Sequence, residues 1–525
     1  MEKLYRNHGP WEFEISNIAN LPDHTNLHEL QTIGELGQNS SSRTEELRTI
    51  QLPFCVVNEE VAQKYWASVT DSLSQPIRSS QELQAAIKSY NKRVKEFTAL
   101  HHFLQVLGQS EQEIFFTDLL PKIIKLALRL PELIPTDIPI LSIGSCKSLS
   151  ISQLQVSSLL ANAFLCTFWS ARACPDINFD KLFNSHDRPK REKCVLEKIK
   201  SLCHYFERVT YKEPVSVITF ERRHFANEEL PQWHNLNNTL NQREIHITSD
   251  GLIESNSDGF LQVDFANKNV GGGVLAYGCV QEEIRFIICP ELIVSRLFTE
   301  QLGSTEALII TGVERFSDYS GYGDTYTWTG DYQDTTPLDA YGRRRTSIVA
   351  IDAIRFTKPS EQYKPTNMLR ELNKAYAGFY TVLKQPPPVA TGNWGCGAYK
   401  GDPKLKSLLQ IMACGVCNRD IVYFTFNDDQ LAKEILEMIN FIVQNAITIG
   451  QLWKYLCRFS DTKLKPSRLY TFLQYIHEYS EEDFHNFTDK HLENRISKNV
   501  QRSTLKSDEV VDEDCSILFM NLFQN

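Results

Sequence analysis

Apolar positions recur at spacings of three and four through residues 81–172. Leu83, Ile87, Tyr90, Val94 and Phe97 form one such stripe, and the stretches 115–130 and 150–168 repeat it. Ser148 or Ser150 is placed to cap the last of these helices. From about residue 213 the rhythm changes to short apolar runs at 215–220, 244–248, 260–265, 307–311, 347–352, 388–391 and 420–426. Several are continuous, as expected of strands covered on both faces. Helical patterns lie between them, over 281–298, 367–383, 403–417 and 428–444, and again over 449–479. Strands alternating with helices predict a layered α/β domain with a parallel or mixed sheet. The chain therefore divides into an irregular arm (1–80), a helical region (81–212), an α/β domain (213–480) and a C-terminal tail (481–525). The arm includes a polar stretch at 38–43 and is expected to rest on the body through Leu52, Pro53 and Phe54. No internal repeat is evident.

Composition narrows the class. Of 525 residues 42% are apolar and 23% charged, which excludes a disordered, collagenous or coiled-coil chain. The net charge of −10 does not suit a protein that coats nucleic acid, so a polyanionic ligand would have to be held by a local site. The 13 scattered cysteines do not form a disulfide framework and point to a reducing compartment. Cys414 and Cys417 form one CxxC without a second pair, in a helical run, and read as half-buried thiols. The N-terminal residues have no apolar core of a secretory signal, and no stretch is long enough to span a membrane. The basic run 188–193 reads as a surface turn or an import signal, and Arg343, Arg344 and Arg345 as a surface cluster open to a polyanion.

Four segments carry candidate chemistry, three of them just after a predicted strand, where open α/β sheets place ligands. Gly271, Gly272 and Gly273 follow a strand and precede Gln281, Glu282 and Glu283 at the start of a helix. Three glycines allow close backbone approach and can present N–H donors to a phosphate or sugar. Two acids in a first turn suit the helix dipole, but adjacent residues point about 100° apart, so one can face a sugar hydroxyl and the other a scissile bond. Tyr319 and Tyr322 flank a Ser-Gly turn and can stack on a flat ring. Asn393 to Tyr399, with Gly395 and Gly397, reads as a phosphate-cradling loop before a helix. Cys396 lies in it, with no histidine nearby in sequence to activate it. Tyr423 to Asp428 ends a strand with aromatics able to wall a base pocket. No cluster has metal-ligand spacing.

These segments resemble the full-size eukaryotic poly(ADP-ribose) glycohydrolase family. The resemblance rests on Gly271–Gly273 with Gln281–Glu283, and on Leu261–Lys268, Tyr319–Tyr322, Arg370–Tyr376, Thr391–Ala398 and Tyr423–Phe426, in order, within a likeness running from about 82 to 480. It implies a macrodomain-like three-layer α/β/α domain with a mixed sheet, preceded by a helical accessory domain. It implies cleavage of ribose–ribose O-glycosidic bonds in poly(ADP-ribose), mainly from chain ends, without a cofactor or metal. By the same resemblance Glu283 would be the acid/base, Glu282 would orient the ribose and Asp264 would support them. Asn267 and Gln281 would bind near the ribose, with Gly271, Gly272 and Gly273 lining it. Asn393, Trp394, Gly395, Cys396, Gly397, Ala398 and Tyr399 would wrap the diphosphate. Tyr322 would close over the ligand, Phe426 would stack on the adenine, and Ile253 and Glu254 would contact its edge. Partners would be the polymer and proteins carrying it, with no sequence-specific nucleic acid and no membrane, the protein acting as a monomer in nucleus or cytoplasm.

Ordinary glycosidases oppose two carboxylates across the bond, whereas Glu282 and Glu283 are neighbours. One residue doing both proton transfers implies retention or substrate assistance, and a raised pKa for the acid. A macrodomain that only reads ADP-ribose, a hydrolase of terminal ADP-ribose on proteins, and an unrelated nucleotide-sugar glycosidase are the competing readings.

Overall fold

The computed structural model describes residues 48–55, 59–168, 174–185, 189–462 and 464–477. The tail from residue 478 and the polar stretch 38–43 lie outside them. Among the described residues twelve strands are formed: β1 Thr49–Ile50, β2 Ile138–Pro139, β3 Lys147–Ser152, β4 Val217–His224, β5 Ile245–Thr248, β6 Leu261–Ala266, β7 Glu306–Thr311, β8 Ser317–Ser320, β9 Thr327–Asp331, β10 Ser347–Asp352, β11 Val389–Gly392 and β12 Ile421–Phe424. Eight of them make one sheet in the order β3-β4-β7-β10-β6-β11-β12-β5. The pairs β3–β4, β4–β7 and β7–β10 are antiparallel, and those from β10 to β5 are parallel. The sheet is thus mixed, as its sequence pattern predicts.

Strand alternation sorts the core into two layers. Leu308, Ile310, Ile348 and Ala350 face one side and pack with the N-terminal helices. Ala307, Ile309, Val349 and Ile351 face the other and pack with the C-terminal helices. The longer helices of the first layer are α1 Glu59–Leu73, α2 Ser80–Tyr90, α3 Thr98–Val106, α4 Leu120–Leu128, α5 Gln153–Phe164, α6 Pro189–Tyr211 and α7 Gln281–Ile288. The second layer holds α8 Pro365–Phe379, α9 Pro403–Val416, α10 Asp429–Gln444, α11 Ile449–Ser460 and α12 Leu469–His477. Each fully buried aliphatic in either layer contributes roughly 1.5–3 kcal/mol.

Several expectations need correction. The segment read as an irregular arm contains α1, and Leu52 and Pro53 are buried with Phe54 edge-on to Trp66 at 5.8 Å. Residues 147–152, assigned to the helical region, form β3, and α5 is capped by Ser152, not by Ser148 or Ser150. Helical region and sheet therefore share one continuous apolar core. The single helix expected over 281–298 breaks after Ile288, because Pro290 has no N–H and clashes with the preceding turn. Arg343, Arg344 and Arg345 are half-buried, and Arg343 and Arg344 are paired internally with Asp339, Glu314 and Asp334. They are not a free cationic surface. Cys414, in α9, and Cys417, at its C-terminal cap, are buried free thiols whose pKa values burial pushes up. Among the described residues no helix is long and apolar enough to cross a membrane.

Candidate active site

The site lies beyond the C-terminal ends of the parallel strands, where β6 and β11 part. They pair only at Leu261–Val389 and Gln262–Ala390. Past that point the Gln281 amide replaces the missing strand. Its Oε1 accepts from Phe265 N at 2.8 Å and its Nε2 donates to Val263 O at 3.1 Å. The side chain expected near the ribose is thus committed to β6, and what it fixes is the start of α7.

Glu282 and Glu283 occupy the first turn of α7 and are both buried. The triple glycine serves them, not a phosphate. Gly271 N donates to Glu282 Oε1 at 2.7 Å, Gly273 N to Glu283 Oε1 at 2.8 Å, and Gly272 N to Asn269 O at 3.0 Å. The expectation that this loop offers a row of N–H donors to a ligand is corrected accordingly. Asn267 N donates to Glu282 Oε2 at 2.9 Å and Val280 N to Glu283 Oε2 at 3.0 Å. Each carboxylate oxygen accepts one such bond and keeps a lone pair. Gly272 has φ +44°, and a Cβ there would lie 2.5 Å from Glu282 Oε2 and 2.6 Å from Glu283 Oε1. The glycine is required both by its backbone and by the two carboxylates it touches.

Asp264 lies on β6, 1% exposed, with no hydrogen-bond partner on either oxygen among the described residues. Burial, then the nearby Glu283 charge, push its pKa up to about 8, against a smaller pull from Arg285. Burial also pushes Glu282 well up, aided by Asp264 and Glu283 and opposed by its two backbone donors. Three acids in one dry volume cannot all ionise. At neutral pH Asp264, with no hydrogen-bond donor to its oxygens among the described residues and only the smaller pull of Arg285, keeps its proton.

Asn267, Tyr399 and Tyr322 stand beside this centre. Asn267 Nδ2 donates to Tyr399 Oη at 2.8 Å. Tyr322 is 57% exposed, and its hydroxyl accepts from Gln281 N at 3.3 Å, over the start of α7. In the loop after β11, Gly395, Gly397 and Ala398 have N–H groups without an acceptor among the described residues. These open donors, not those of the triple glycine, suit a diphosphate. Trp394 departs from expectation. It is fully buried, donates to Ile351 O at 2.9 Å, and has the Lys406 ammonium 4.1 Å from its ring centroid. It supports the loop from below. The Asn393 side chain is likewise tied to the end of β12, accepting from Tyr423 Oη at 3.1 Å and donating to Thr425 O at 3.3 Å. Burial pushes the Cys396 thiol up to about 12, which argues against a nucleophile.

Phe426 has φ +56°, rare for a bulky side chain and costly unless the site needs it. Its ring borders a small apolar cluster of Ile253, Ala390, Val422 and Phe424, stacking toward Phe424 at 6.5 Å and edge-on to Phe265 at 6.5 Å. A Cβ on Gly392 would come 2.7 Å from that ring. Ile253 supplies buried floor, and the Glu254 carboxylate accepts from the Tyr319 hydroxyl. The sequence reading missed two buried cations, Lys198 and Arg296. Arg296 donates to Gly272 O at 3.0 Å and to Asp176 O at 3.2 Å. A cation inside an apolar helical stripe was the available signal.

Comparison with known proteins identifies the family. The family model described as poly(ADP-ribose) glycohydrolase, macro domain fold, matches residues 230–433. The model of the same family's helical domain matches 107–222, running through β3 and into β4. The Arabidopsis thaliana protein named poly(ADP-ribose) glycohydrolase 1 is 31% identical over 453 residues, covering 69% of this chain and 81% of the relative. The Caenorhabditis elegans protein named poly(ADP-ribose) glycohydrolase 2 is 31% identical over 389 residues, covering 71% of this chain and 77% of the relative. A crystal structure of poly(ADP-ribose) glycohydrolase from Deinococcus radiodurans in complex with ADP-ribose overlaps 41% of this chain and 94% of its own at 16% identity, with a TM-score of 0.28, too low to argue from. Both halves of the chain match one family in order, and relatives matched over most of their length agree. The chain belongs to the poly(ADP-ribose) glycohydrolase family.

Proposed function

We propose that this protein hydrolyses the ribose–ribose O-glycosidic bonds of poly(ADP-ribose), mainly from chain ends, and releases ADP-ribose. The observation that carries the reading is the pair of buried carboxylates on consecutive residues, each held by a glycine N–H of the preceding loop. A protein that only reads ADP-ribose has no use for two buried acids beside a third.

Glu283 protonates the departing ribose oxygen and then takes a proton from the attacking water. Glu282 accepts from ribose hydroxyls through its free lone pairs. Neutral Asp264 stands behind them, so that its proximity adds no further negative charge. Phe426 stacks on the adenine, Tyr322 covers the ligand from the solvent side, and the open amides of Gly395, Gly397 and Ala398 receive the diphosphate. Backbone donors and stacking then hold a polyanion on a protein of net charge −10.

One point near the Gly272 Cα lies 2.5 Å from a Glu282 oxygen and 2.6 Å from a Glu283 oxygen. The nearest oxygens are thus no more than about 5 Å apart, too close to hold the water of an inverting pair between them. This favours retention or substrate assistance, and an inverted first-formed product would refute it.

The deciding experiment compares wild type with Glu283→Gln for release of ADP-ribose from purified poly(ADP-ribose). Gln keeps the shape and one acceptor but cannot exchange a proton. Loss of turnover by several orders of magnitude with ADP-ribose binding retained is expected. A wild type that binds ADP-ribose tightly and turns nothing over is a reader, and the proposal fails.

A further inference from the structure

The acid/base loop is held by a residue of the helical layer. Lys198 is 0% exposed. It sits in the apolar stripe of α6 among Cys194, Val195, Ser201 and Leu202. Its ammonium donates to Ala276 O at 2.8 Å and to Gly278 O at 2.7 Å. Among the described residues no carboxylate lies within ion-pair distance of it. Burying an ammonium this way costs several kcal/mol unless its donors and charge are used. Burial pulls its pKa down, while Cys194, Cys279 and Glu283 oppose that pull.

The backbone that Lys198 grips forms one wall of Glu283. A Cβ on Gly278 would lie 2.6 Å from Glu283 Oε1 and 2.8 Å from Gly273 Cα. Two residues on, Val280 N donates to Glu283 Oε2. Gly278 N and Ala276 N both return to Gly273 O, at 3.0 and 2.9 Å, which closes the loop on the triple glycine. The same helix also holds the tyrosine segment. Arg191 pairs with Asp324 at 2.8 Å, Ser201 shares a hydrogen bond with the Tyr326 hydroxyl at 2.9 Å, and Glu197 accepts from Trp328 N at 2.9 Å. Gly323 N in turn donates to Cys279 O at 2.9 Å.

We propose that Lys198 is a positioning residue for the glycosidic step, fixing the Ala276–Gly278 backbone and through it the carboxylate of Glu283. This rests on the functional reading above, and deepens it by giving the helical layer a part in the chemistry. Small misplacements of a reacting group cost about 100-fold in rate. Two carbonyls held by one ammonium prevent such a shift.

The test measures kcat and KM for ADP-ribose release, the Kd of ADP-ribose and Tm, for wild type, Lys198→Met, Lys198→Gln and the exposed control Lys193→Met. Wild-type turnover and a dead Glu283→Gln establish the activity first, so a failure here is separate from a failure of that reading. Lys198→Met is expected to lower kcat about 10- to 100-fold, with KM and Kd within about two-fold. Lys198→Gln, a shorter donor without charge, falls between, and Lys193→Met is unchanged. A merely structural lysine would lower Tm, or shift KM and Kd, and leave the kcat of folded enzyme intact. That outcome overturns the proposal. If Lys198→Met does not fold, Lys198→Gln decides, and wild-type kcat in that variant overturns it.

Discussion

Replacing Asp264 by Asn should stabilise the ligand-free protein at alkaline pH. An unfolded aspartate ionises near 3.8, and folded Asp264 holds its proton to about 8. Between these values the unfolded chain releases a proton that the folded chain keeps. Stability therefore falls as pH rises through that window, and the loss is complete above pH 8. A displacement of about four pH units corresponds to roughly 5 kcal/mol at 1.36 kcal/mol per unit, an upper limit because buried carboxyls relax and admit water. A realised gain of about 1–3 kcal/mol is expected, with Asn filling the same volume. Neutralising Asp264 also removes a like charge that pushes Glu282 up, which acts in the same direction. Arg285, the cation that draws Asp264 down, loses that partner and subtracts from the gain. The assay is thermal unfolding of wild type and Asp264→Asn at pH 5 and pH 8 without ligand. The variant should gain several degrees at pH 8 and markedly less at pH 5. Equal destabilisation at both values would mean that Asp264 is ionised and bonded in the folded state, and the placement of the site's proton would be wrong.

Gly272→Ala should abolish turnover more completely than it lowers Tm, because its Cβ meets Glu282 and Glu283 oxygens at 2.5 and 2.6 Å. Near-wild-type kcat in that variant would contradict the geometry. Phe426→Ala should weaken ADP-ribose binding about 10-fold, within the 1–3 kcal/mol of one base–aromatic stack. Calorimetry checks this, and an unchanged Kd would remove Phe426 from the site. Binding of ADP-ribose should depend weakly on salt, since backbone amides release no counterions. A steep fall of log affinity with log salt would point instead to lysines and arginines.

Seven of the eight strands of the main sheet, most of the helices between them and the position of the site past the strand ends were legible in the sequence, because each rests on local periodicity, whereas β3 was hidden in a helical pattern. What escaped was set by partners distant in sequence. Gln281 reads as a ligand residue until β11 is seen to leave β6 after Gln262, so that the amide completes the edge at Val263 and Phe265. Trp394 reads as part of a binding loop until its indole is found bonded to Ile351 O beneath that loop. The triple glycine is the most instructive case. Its backbone freedom was read as access for a ligand, yet Gly271 and Gly273 donate inward and each supplies one of the two backbone donors that meet a buried carboxylate. A buried carboxylate costs several kcal/mol unless donors meet it. The loop that meets both must itself be fixed, and Lys198 and Arg296 do this by gripping its carbonyls. The phosphate-facing amides are then those of Gly395, Gly397 and Ala398, on a loop backed by Trp394 and Lys406. Two glycine-rich loops of similar sequence thus do opposite work, one turned in to hold the acids and one turned out to receive the substrate. Only the partners of their N–H groups distinguish them.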